Sequence, residues 1–368
     1  MRKYLVVYTL LSVAIAIPVG YYSSAFTAAS KGLFSNLVIF LAILTIYPSM
    51  IQLKTEGLAP SFRLWKQILI SLVYVFAISP IVAFGLAPTL GNSEIGIGFV
   101  TANIVPASSA SLGYVLIAGG SIELATALAV LSFAIAIPAI PFFLSFYGSQ
   151  VSTSVPIAPV LTSVLYILVL PFAAGQLTRY PLLRKRGSMF VNRTIRPCLS
   201  LATMLSMLAL IFVLVDKEAP VMVAKPETVG YVIGYQSAII VGLLFVSVLV
   251  SRAMRLSYED HQAVAFTSVS KNQSVAAAIA TLAFNPVSAL APSIIPMVQP
   301  VLSILYINLE KPMRRFLPSQ NRPIVASGDG TSPPVIPTLA GQSPQKTNLS
   351  QGPDPQESGP PRGDSTGA

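Results

Sequence analysis

The chain consists largely of long apolar runs, and these runs constrain its fold more than any other feature. Ten runs of about 20 residues can be counted, and each is long enough to cross the roughly 30 Å of a bilayer's hydrocarbon core as a helix. They cover residues 4–25, 33–52, 65–88, 95–118, 121–147, 156–177, 197–216, 229–251, 260–284 and 286–310. Backbone N–H and C=O groups cannot stay unpaired in lipid. The sequence therefore predicts an all-α polytopic membrane protein with ten transmembrane helices.

Composition agrees with this fold class and excludes most others. The chain is 54% hydrophobic and 10% charged, whereas a typical soluble domain is about 25% charged. The net charge of +10 lies mostly in loops between the runs, so it does not indicate a nucleic-acid partner. With one Cys and one His, no disulfide, metal site or cofactor is predicted. The histidine, His261, is expected in a solvated helix start with Glu259 and Asp260, behind Ser257 as N-cap. No nucleophile–base pair lies at membrane depth, so the chain is not expected to be an enzyme.

The loop charges predict an orientation. If the N-terminus is cytoplasmic and the runs alternate in direction, sixteen Lys and Arg residues fall in cytoplasmic segments, and three (Lys31, Lys217 and Lys225) fall on the opposite side. The positive-inside rule expects such a bias. We therefore predict a multi-pass protein of the plasma (inner) membrane with both termini in the cytoplasm.

Internal similarity indicates two related halves. Residues 16–20 in the first run resemble residues 170–175 in the sixth, and residues 137–141 in the fifth run resemble residues 295–300 in the tenth. Two halves with five crossings each must be inverted relative to one another, which is a common construction of transporters. A cleaved signal peptide is the alternative interpretation of the first run.

The predicted transporter domain ends at about residue 316, with repeat one at about 1–150 and repeat two at about 151–316. From residue 317 to residue 368 there is no aromatic residue, and ten of the chain's thirty prolines occur there. Such a segment cannot bury a core. It is expected to be a disordered cytoplasmic tail rich in Pro, Gly and Ser.

The ninth run carries polar residues where lipid would otherwise be. Between residues 267 and 274, seven of eight residues are polar and one is a lysine. Residues of this kind at membrane depth must face a protein cavity or water, and they are typical of an interrupted helix whose freed backbone groups bind a ligand. A polar helix–helix contact is the alternative. The candidate substrate- or ion-binding residues are Thr267, Ser270, Lys271, Asn272, Gln273 and Ser274.

The fourth run, the partner of the ninth under the five-plus-five repeat, has its own predicted interruption. Pro106 removes a helical hydrogen bond, and the small residues around it allow another backbone to approach closely. Corresponding interruptions in both halves indicate the binding site of a transporter. Further candidate residues are Asn103, Ser108, Ser109 and Ser111, with Glu123 as a proton carrier or charge partner of Lys271. A carboxylate favoured by the helix N-terminus is the alternative role of Glu123.

Several stretches carry a resemblance to a known family. They are Tyr47-Pro48-Ser49-Met50, Gly120-Ser121-Ile122-Glu123-Leu124-Ala125, Ala174-Gly175-Gln176-Leu177-Thr178-Arg179 and, most strongly, Tyr258-Glu259 followed by Ala265-Phe266-Thr267-Ser268-Val269-Ser270-Lys271-Asn272. In these stretches the chain resembles the bile acid:sodium symporter superfamily, and within it the arsenite-permease branch, over roughly residues 4–316. The resemblance implies a panel of spans 1, 2, 6 and 7 and a core of spans 3–5 and 8–10. Spans 4 and 9 would be unwound and would cross near the substrate and ion sites.

The chain differs from this superfamily at the positions where its members bind arsenite or cations. Arsenite permeases have a cysteine in span 4, where this chain has Pro106-Ala107-Ser108, and a glutamate in span 9, where it has Ser274. Sodium-coupled members bind cations through a glutamate and a glutamine of span 9 and an asparagine of span 4. The matching positions here look like Thr267, Lys271 and Leu112. A lysine therefore takes the place of a cation ligand.

The predicted function is secondary active transport of a small anionic or polar solute by alternating access, independent of sodium, with Lys271 in place of a bound cation. Burial disfavours the charged form of a lysine, so the coupling ion could be a proton. The alternatives are an arsenite or antimonite efflux permease that binds without thiolates and a sodium-coupled organic anion symporter. A non-transporting membrane receptor or a channel-like protein is the alternative from a different class.

Overall fold

The structure is a computed structural model, and it describes residues 5–23, 31–55, 58–151 and 155–318. The regular elements of this part are α-helices interrupted by short 3-10 and π-helical turns. The segment after the first run, where a signal peptide would be cleaved, lies outside the described residues. The predicted tail from residue 319 onward lies outside them as well.

Thirteen helices follow one another along the described residues. They are α1 (Leu5–Tyr22), α2 (Lys31–Gln52), α3 (Ser61–Leu90), α4 (Ser93–Ile104), α5 (Ser109–Ile117), α6 (Ile122–Gln150), α7 (Ile157–Phe190), α8 (Arg196–Ala224), α9 (Pro226–Ala253), α10 (Tyr258–Val269), α11 (Gln273–Ala283), α12 (Leu290–Ile307) and α13 (Glu310–Phe316). Within α7 the chain changes direction at Gly187, whose φ of 77° suits a glycine.

Seven of these described helices, α2, α3, α6, α7, α8, α9 and α12, are long and apolar enough to cross a membrane. The chain is therefore an integral membrane protein with several apolar helices. The predicted fourth and ninth runs each fold as two short helices, α4 with α5 and α10 with α11. The arrangement of ten crossings in two inverted halves stays a prediction.

Three π-helical turns widen the long helices, and each ends shortly before a proline. They are Tyr74–Ile78 before Pro80, Leu165–Val169 before Pro171, and Val191–Ile195 before Pro197. A proline inside an α-helix has no N–H and its ring clashes with the carbonyl four residues earlier. A wider turn relieves that clash, and it leaves one carbonyl of the turn without a helical partner.

The helices pack in two groups in the described structure. In the first group α8 packs on both α1 and α2, and the Leu170–Phe190 part of α7 packs on α2. In the second group α4 packs on α6, α11 and α12, while α10 packs on α3, α5, α6 and α9. The two interrupted helix pairs therefore lie inside the second group, where neighbouring helices can supply polar partners.

The first two residues assigned to the tail are held by the helical domain. Leu317 is 2% exposed, and the carbonyl of Pro318 accepts a hydrogen bond of 2.9 Å from the N–H of Tyr258. The two described residues of the predicted tail are therefore in contact with the helical domain.

Candidate substrate site at two meeting helix breaks

Each interrupted run breaks near its own middle, and the two breaks have different local causes. The first break spans residues 105–108, between the end of α4 and the start of α5, and it contains Pro106, which has no N–H to donate. The second break spans residues 270–272, between α10 and α11, and it contains no proline. The sequence predicts interruptions at Pro106 and within the polar residues 267–274, and both breaks fall there.

The two breaks lie side by side and exchange backbone hydrogen bonds. The N–H of Ser108 donates to the carbonyl of Ser270 at 2.7 Å, and the N–H of Asn272 donates to the carbonyl of Pro106 at 2.9 Å. Ala107 and Lys271 thus form an antiparallel bridge. Backbone groups released by the two breaks satisfy one another, which they must do away from water.

Each break is followed by a helix whose start is capped by one of the predicted residues. The Oγ of Ser108 accepts the N–H of Ala110 at 3.2 Å, and the Oδ1 of Asn272 accepts the N–H of Val275 at 3.4 Å. The N-termini of α5 and α11 therefore both lie where the two breaks meet, and we call this place the junction. A helix N-terminus carries a partial positive charge and favours anions.

A glutamine of α12 holds the second break. The Oε1 of Gln299 accepts the N–H of Lys271 at 3.2 Å, and its Nε2 donates to the Oγ of Ser270 and to the carbonyl of Lys271, both at 3.3 Å. The first break has one comparable side-chain partner, since the Oγ of Ser132 accepts the N–H of Ala107 at 3.1 Å.

The side chain of Lys271 is buried at this junction and bound to backbone. The residue is 2% exposed, and its Nζ donates to the carbonyl of Val75 at 2.9 Å. The Nζ also lies 5.9 Å from the centre of the Phe76 ring, within the range of a cation–π contact. No ion pair of the described residues involves Lys271.

The carbonyl that binds Lys271 is made available by the π-helical turn of α3. The N–H of Ser79 donates to the carbonyl of Tyr74, five residues earlier. The same pattern would pair the carbonyl of Val75 with residue 80, which is a proline without an N–H. The ammonium of Lys271 takes that acceptor. Pro80 in the third run therefore leaves the carbonyl of Val75 free to accept a hydrogen bond from Lys271 in the ninth run.

Other predicted residues lie in separate polar contacts nearby. Asn103 is fully buried in the last turn of α4, where its Nδ2 donates to the Oε1 of Gln236 at 3.0 Å and its Oδ1 accepts the hydroxyl of Ser79 at 3.1 Å. Ser111 donates to the carbonyl of Ser108 at 2.7 Å. Thr267, about one turn before the second break, donates to the carbonyl of Ala263 at 2.7 Å and lies 3.3 Å from the hydroxyl of Ser71.

Gln273 is the one predicted residue whose side chain keeps a buried atom without a partner. Its Nε2 donates to the carbonyl of Ala102 at 3.2 Å, while its Oε1 has no hydrogen-bond partner in the described structure. Ser274 is buried and Ser109 is half-buried, each in the first turn of the helix that follows its break.

Glu123 is not brought to Lys271. It is exposed in the first turn of α6, and the neighbouring N–H of Ser121 donates to the carbonyl of Glu259 at the start of α10. Lys271 lies twelve residues beyond Glu259, which corresponds to roughly 15 Å or more along α10. This position fits the alternative role of Glu123 as a helix N-terminal carboxylate.

The start of α10 differs from the solvated end expected from the sequence. Ser257 is the N-cap as expected, since its Oγ accepts the N–H of Asp260 at 3.1 Å. Asp260 and His261 are buried, however, at 1% and 0% exposure. Gln67 donates to Asp260 at 3.1 Å, and the imidazole of His261 lies between the hydroxyls of Ser251 (2.9 Å) and Tyr306 (2.7 Å). The expectation was wrong because α13 and neighbouring helices cover this end.

Sequence reasoning missed the residues that support the breaks from other helices. They are Ser71, Ser79, Ser132, Gln236 and Gln299. Gln236 and Gln299 carried a usable signal, because each is a lone amide inside an otherwise apolar run. The serines carried none, since a serine can bond its own helix.

Comparison with known proteins assigns the chain to a family. Residues 38–225 match the model of the sodium bile acid symporter family. An uncharacterized sodium-dependent transporter of Bacillus subtilis (strain 168), YocS, is 24% identical over 273 residues, which cover 71% of this chain and 78% of that protein. The family match covers half of the chain and includes the first break and its supporting helices α3 and α6. The chain is therefore a membrane transporter that belongs to the sodium bile acid symporter family.

Proposed function

We propose that the chain is a secondary active transporter of a small anionic solute, that it works by alternating access, and that Lys271 replaces a bound sodium ion. One observation carries this proposal. The only charged side chain in contact with the two breaks of the described structure is a buried lysine, bound to a backbone carbonyl rather than to a carboxylate.

The electrostatics of the junction favour an anion and disfavour a second cation. The ammonium of Lys271 and the N-termini of α5 and α11 all contribute positive potential there. A sodium ion about 4 Å from a charged lysine would be repelled by about 4 kcal/mol at an effective dielectric constant of 20. An anionic group of the solute would instead neutralise the lysine.

The bond to Val75 also allows Lys271 to change its charge during the transport cycle. Both an ammonium and a neutral amine have N–H groups to donate. The carbonyl of Val75 therefore keeps its partner in either state. Lys271 would be charged while it faces the anionic solute and neutral when the site is empty, which would couple transport to a proton.

Alternating access requires that the junction open to each side in turn, and the described conformation is a closed one. The backbone and side chains of residues 270–274 are at most 8% exposed. We infer that the group containing α10 and α11 moves against the group of α1, α2 and α8 to open it. This motion would correspond to the panel and core expected for ten spans in inverted halves.

The proposal is tested first by finding the solute and then by varying the driving ion. Purified protein is screened by thermal stabilisation with carboxylates, sulfonates, oxyanions and arsenicals, and each stabilising compound is assayed for counterflow in proteoliposomes. We expect counterflow of an anion, uptake unchanged when sodium is replaced by potassium, and acceleration by a pH gradient. Uptake that requires a sodium gradient would overturn sodium independence. Binding without counterflow would indicate a receptor.

Sodium-coupled transport of an organic anion is the second candidate, and the comparison with the transporter of Bacillus subtilis favours it, because that protein is named as sodium-dependent. The same sodium replacement decides between the two. Arsenite or antimonite efflux rests on the sequence resemblance alone. It predicts that an arsenite-sensitive host expressing this chain becomes resistant.

A further inference from the structure

A group of basic residues at one end of the molecule has no part in the proposed transport site. Arg252 lies in the last turn of α9 and Arg255 follows that turn, while Lys311 and Arg315 lie one helical turn apart on α13. All four side chains are exposed, and no described carboxylate forms an ion pair with any of them. We refer to these four residues as the basic patch.

Contacts between α9, α10 and α13 hold the basic patch together. The guanidinium of Arg252 lies 4.0 Å from the centre of the Phe316 ring and donates to the Phe316 carbonyl. Arg314 lies 4.0 Å from the centre of the Tyr258 ring and pairs with Glu259 at 3.4 Å and with Glu310 at 2.8 Å. Arg314 is thus paired with two carboxylates, whereas Arg252 is bound to a neutral carbonyl and ring and the charges of all four patch residues are left without a described carboxylate.

The backbone at Arg255 is in a conformation that an arginine adopts only at a cost. Its φ is 54°, and it is the one non-glycine residue with positive φ in the described structure. Arg255 occupies the position after the end of α9 where glycine is usual, with the N–H of Leu256 donating to the carbonyl of Ser251 at 2.8 Å. An exposed, strained residue at this position indicates a requirement other than folding.

The position of the basic patch identifies the kind of anion it would meet. The patch lies at the ends of α9 and α12, two of the helices long enough to cross the membrane, so we expect it at the depth of the lipid headgroups. Three exposed apolar side chains lie among the cations: Met254 (41%), Leu309 (50%) and Phe316 (39%). Cations next to exposed apolar side chains are typical of surfaces that contact both the phosphates and the upper acyl chains of a bilayer.

We propose that the basic patch binds the phosphate groups of anionic phospholipids. Bound lipid would hold α13 against the start of α10, because Arg314 of α13 contacts Tyr258 and Glu259. Since α10 ends at the second break, the lipid would stabilise the helix that leads to Lys271.

The test compares lipid binding by full-length protein and two triple variants. Purified protein in detergent is titrated with mixed micelles containing phosphatidylglycerol or phosphatidylcholine, and bound lipid is counted by native mass spectrometry. The patch variant is Arg255→Gln/Lys311→Gln/Arg315→Gln, and the control with equal charge loss is Arg184→Gln/Lys185→Gln/Arg186→Gln in α7. We expect preference of the unaltered protein for phosphatidylglycerol, and loss of about fivefold in affinity for each cation removed from the patch.

Three outcomes would overturn the proposal. They are equal binding of the two lipids by the unaltered protein, equal losses in the patch and control variants, and suppression of lipid binding by millimolar inorganic phosphate, which would indicate a site for the free ion. The variant Arg255→Gly tests whether a loss of lipid binding results from misfolding, because glycine suits the backbone conformation at this position. It should raise thermal stability by removing the positive-φ strain, and it should still lose about fivefold in affinity for phosphatidylglycerol. A glycine variant with unchanged lipid affinity would contradict the role of Arg255.

Discussion

The two helix breaks look alike in outline and differ in what causes them. The first, at residues 105–108, has a proline, and its side-chain support from other helices is one bond from Ser132. The second, at residues 270–272, has no proline, and it is held by three bonds from Gln299 and by the bond from Lys271 to Val75. The first break therefore contains a residue that disfavours a helix, while the second break depends on residues that are distant in the chain.

This difference indicates which break is suited to respond to a solute. The missing N–H of Pro106 belongs to its own segment and does not depend on the position of other helices. A break held by side chains of neighbouring helices changes when those helices move. The second break also carries the buried charge, so we expect the larger effects of substitution there.

The largest effect is expected from Lys271→Ala. Removing one partner of the proposed buried charge pair between Lys271 and the anionic solute costs about 2–5 kcal/mol, so transport of the solute identified by counterflow should fall about 30-fold or more. Lys271→Arg should retain binding and lose acceleration by a pH gradient, and Lys271→Gln should be insensitive to pH. The control is Lys225→Ala, since Lys225 is exposed. Normal transport by Lys271→Ala would show that the second break has no part in the transport mechanism.

Gln299→Ala and Ser132→Ala test the unequal support of the two breaks directly. Gln299→Ala removes three hydrogen bonds and leaves the buried N–H of Lys271 unpaired, so the free energy of unfolding should fall by about 2–3 kcal/mol. Ser132→Ala removes one bond to the first break and should cost about 1 kcal/mol. Equilibrium unfolding in a denaturing detergent measures both. Equal losses would show that the breaks are supported alike.

Pro80→Ala asks whether the second break depends on a proline in another helix. Restoring an N–H at position 80 would let α3 continue as an α-helix, and the carbonyl of Val75 would then pair within α3 instead of with Lys271. We expect transport per folded molecule to fall about tenfold, or about 1.4 kcal/mol. Pro171→Ala is the matched control, because it follows an equivalent π-helical turn in α7. Equal effects of the two substitutions would count against this coupling.

The smallest effect is expected from removing the tail after Pro318, which should change neither stability nor transport, because such a segment has little to pack. Removing Leu317 and Pro318 as well should cost about 2 kcal/mol, since Leu317 is buried and Pro318 accepts the N–H of Tyr258. Thermal unfolding of the two truncated proteins measures the difference. A large loss from the shorter truncation would show that the tail packs on the domain.

Much of the architecture could be predicted from the sequence because the signals are local. Apolar runs of membrane length predict helices, and Pro106 predicts the first break within a few residues. The second break was predicted from its polar composition, because polar side chains facing lipid are energetically unfavourable. Glu123 was assigned by composition as well. The structure places it in the first turn of α6, beside the start of α10, whereas Lys271 follows the end of α10.

The sequence by itself determined that this chain is a helical membrane protein, where its two short helix pairs fall, and that one lysine lies within an otherwise uncharged part of the ninth run. Those properties follow from hydrophobicity and from the missing N–H of proline, which act within a single segment. Only the tertiary structure decided that Lys271 binds the carbonyl of Val75, that Gln299 holds the second break, and that Asp260 and His261 are buried. Each of these contacts joins groups that are distant in the chain, and their hydrogen bonds form only after the helices have packed together.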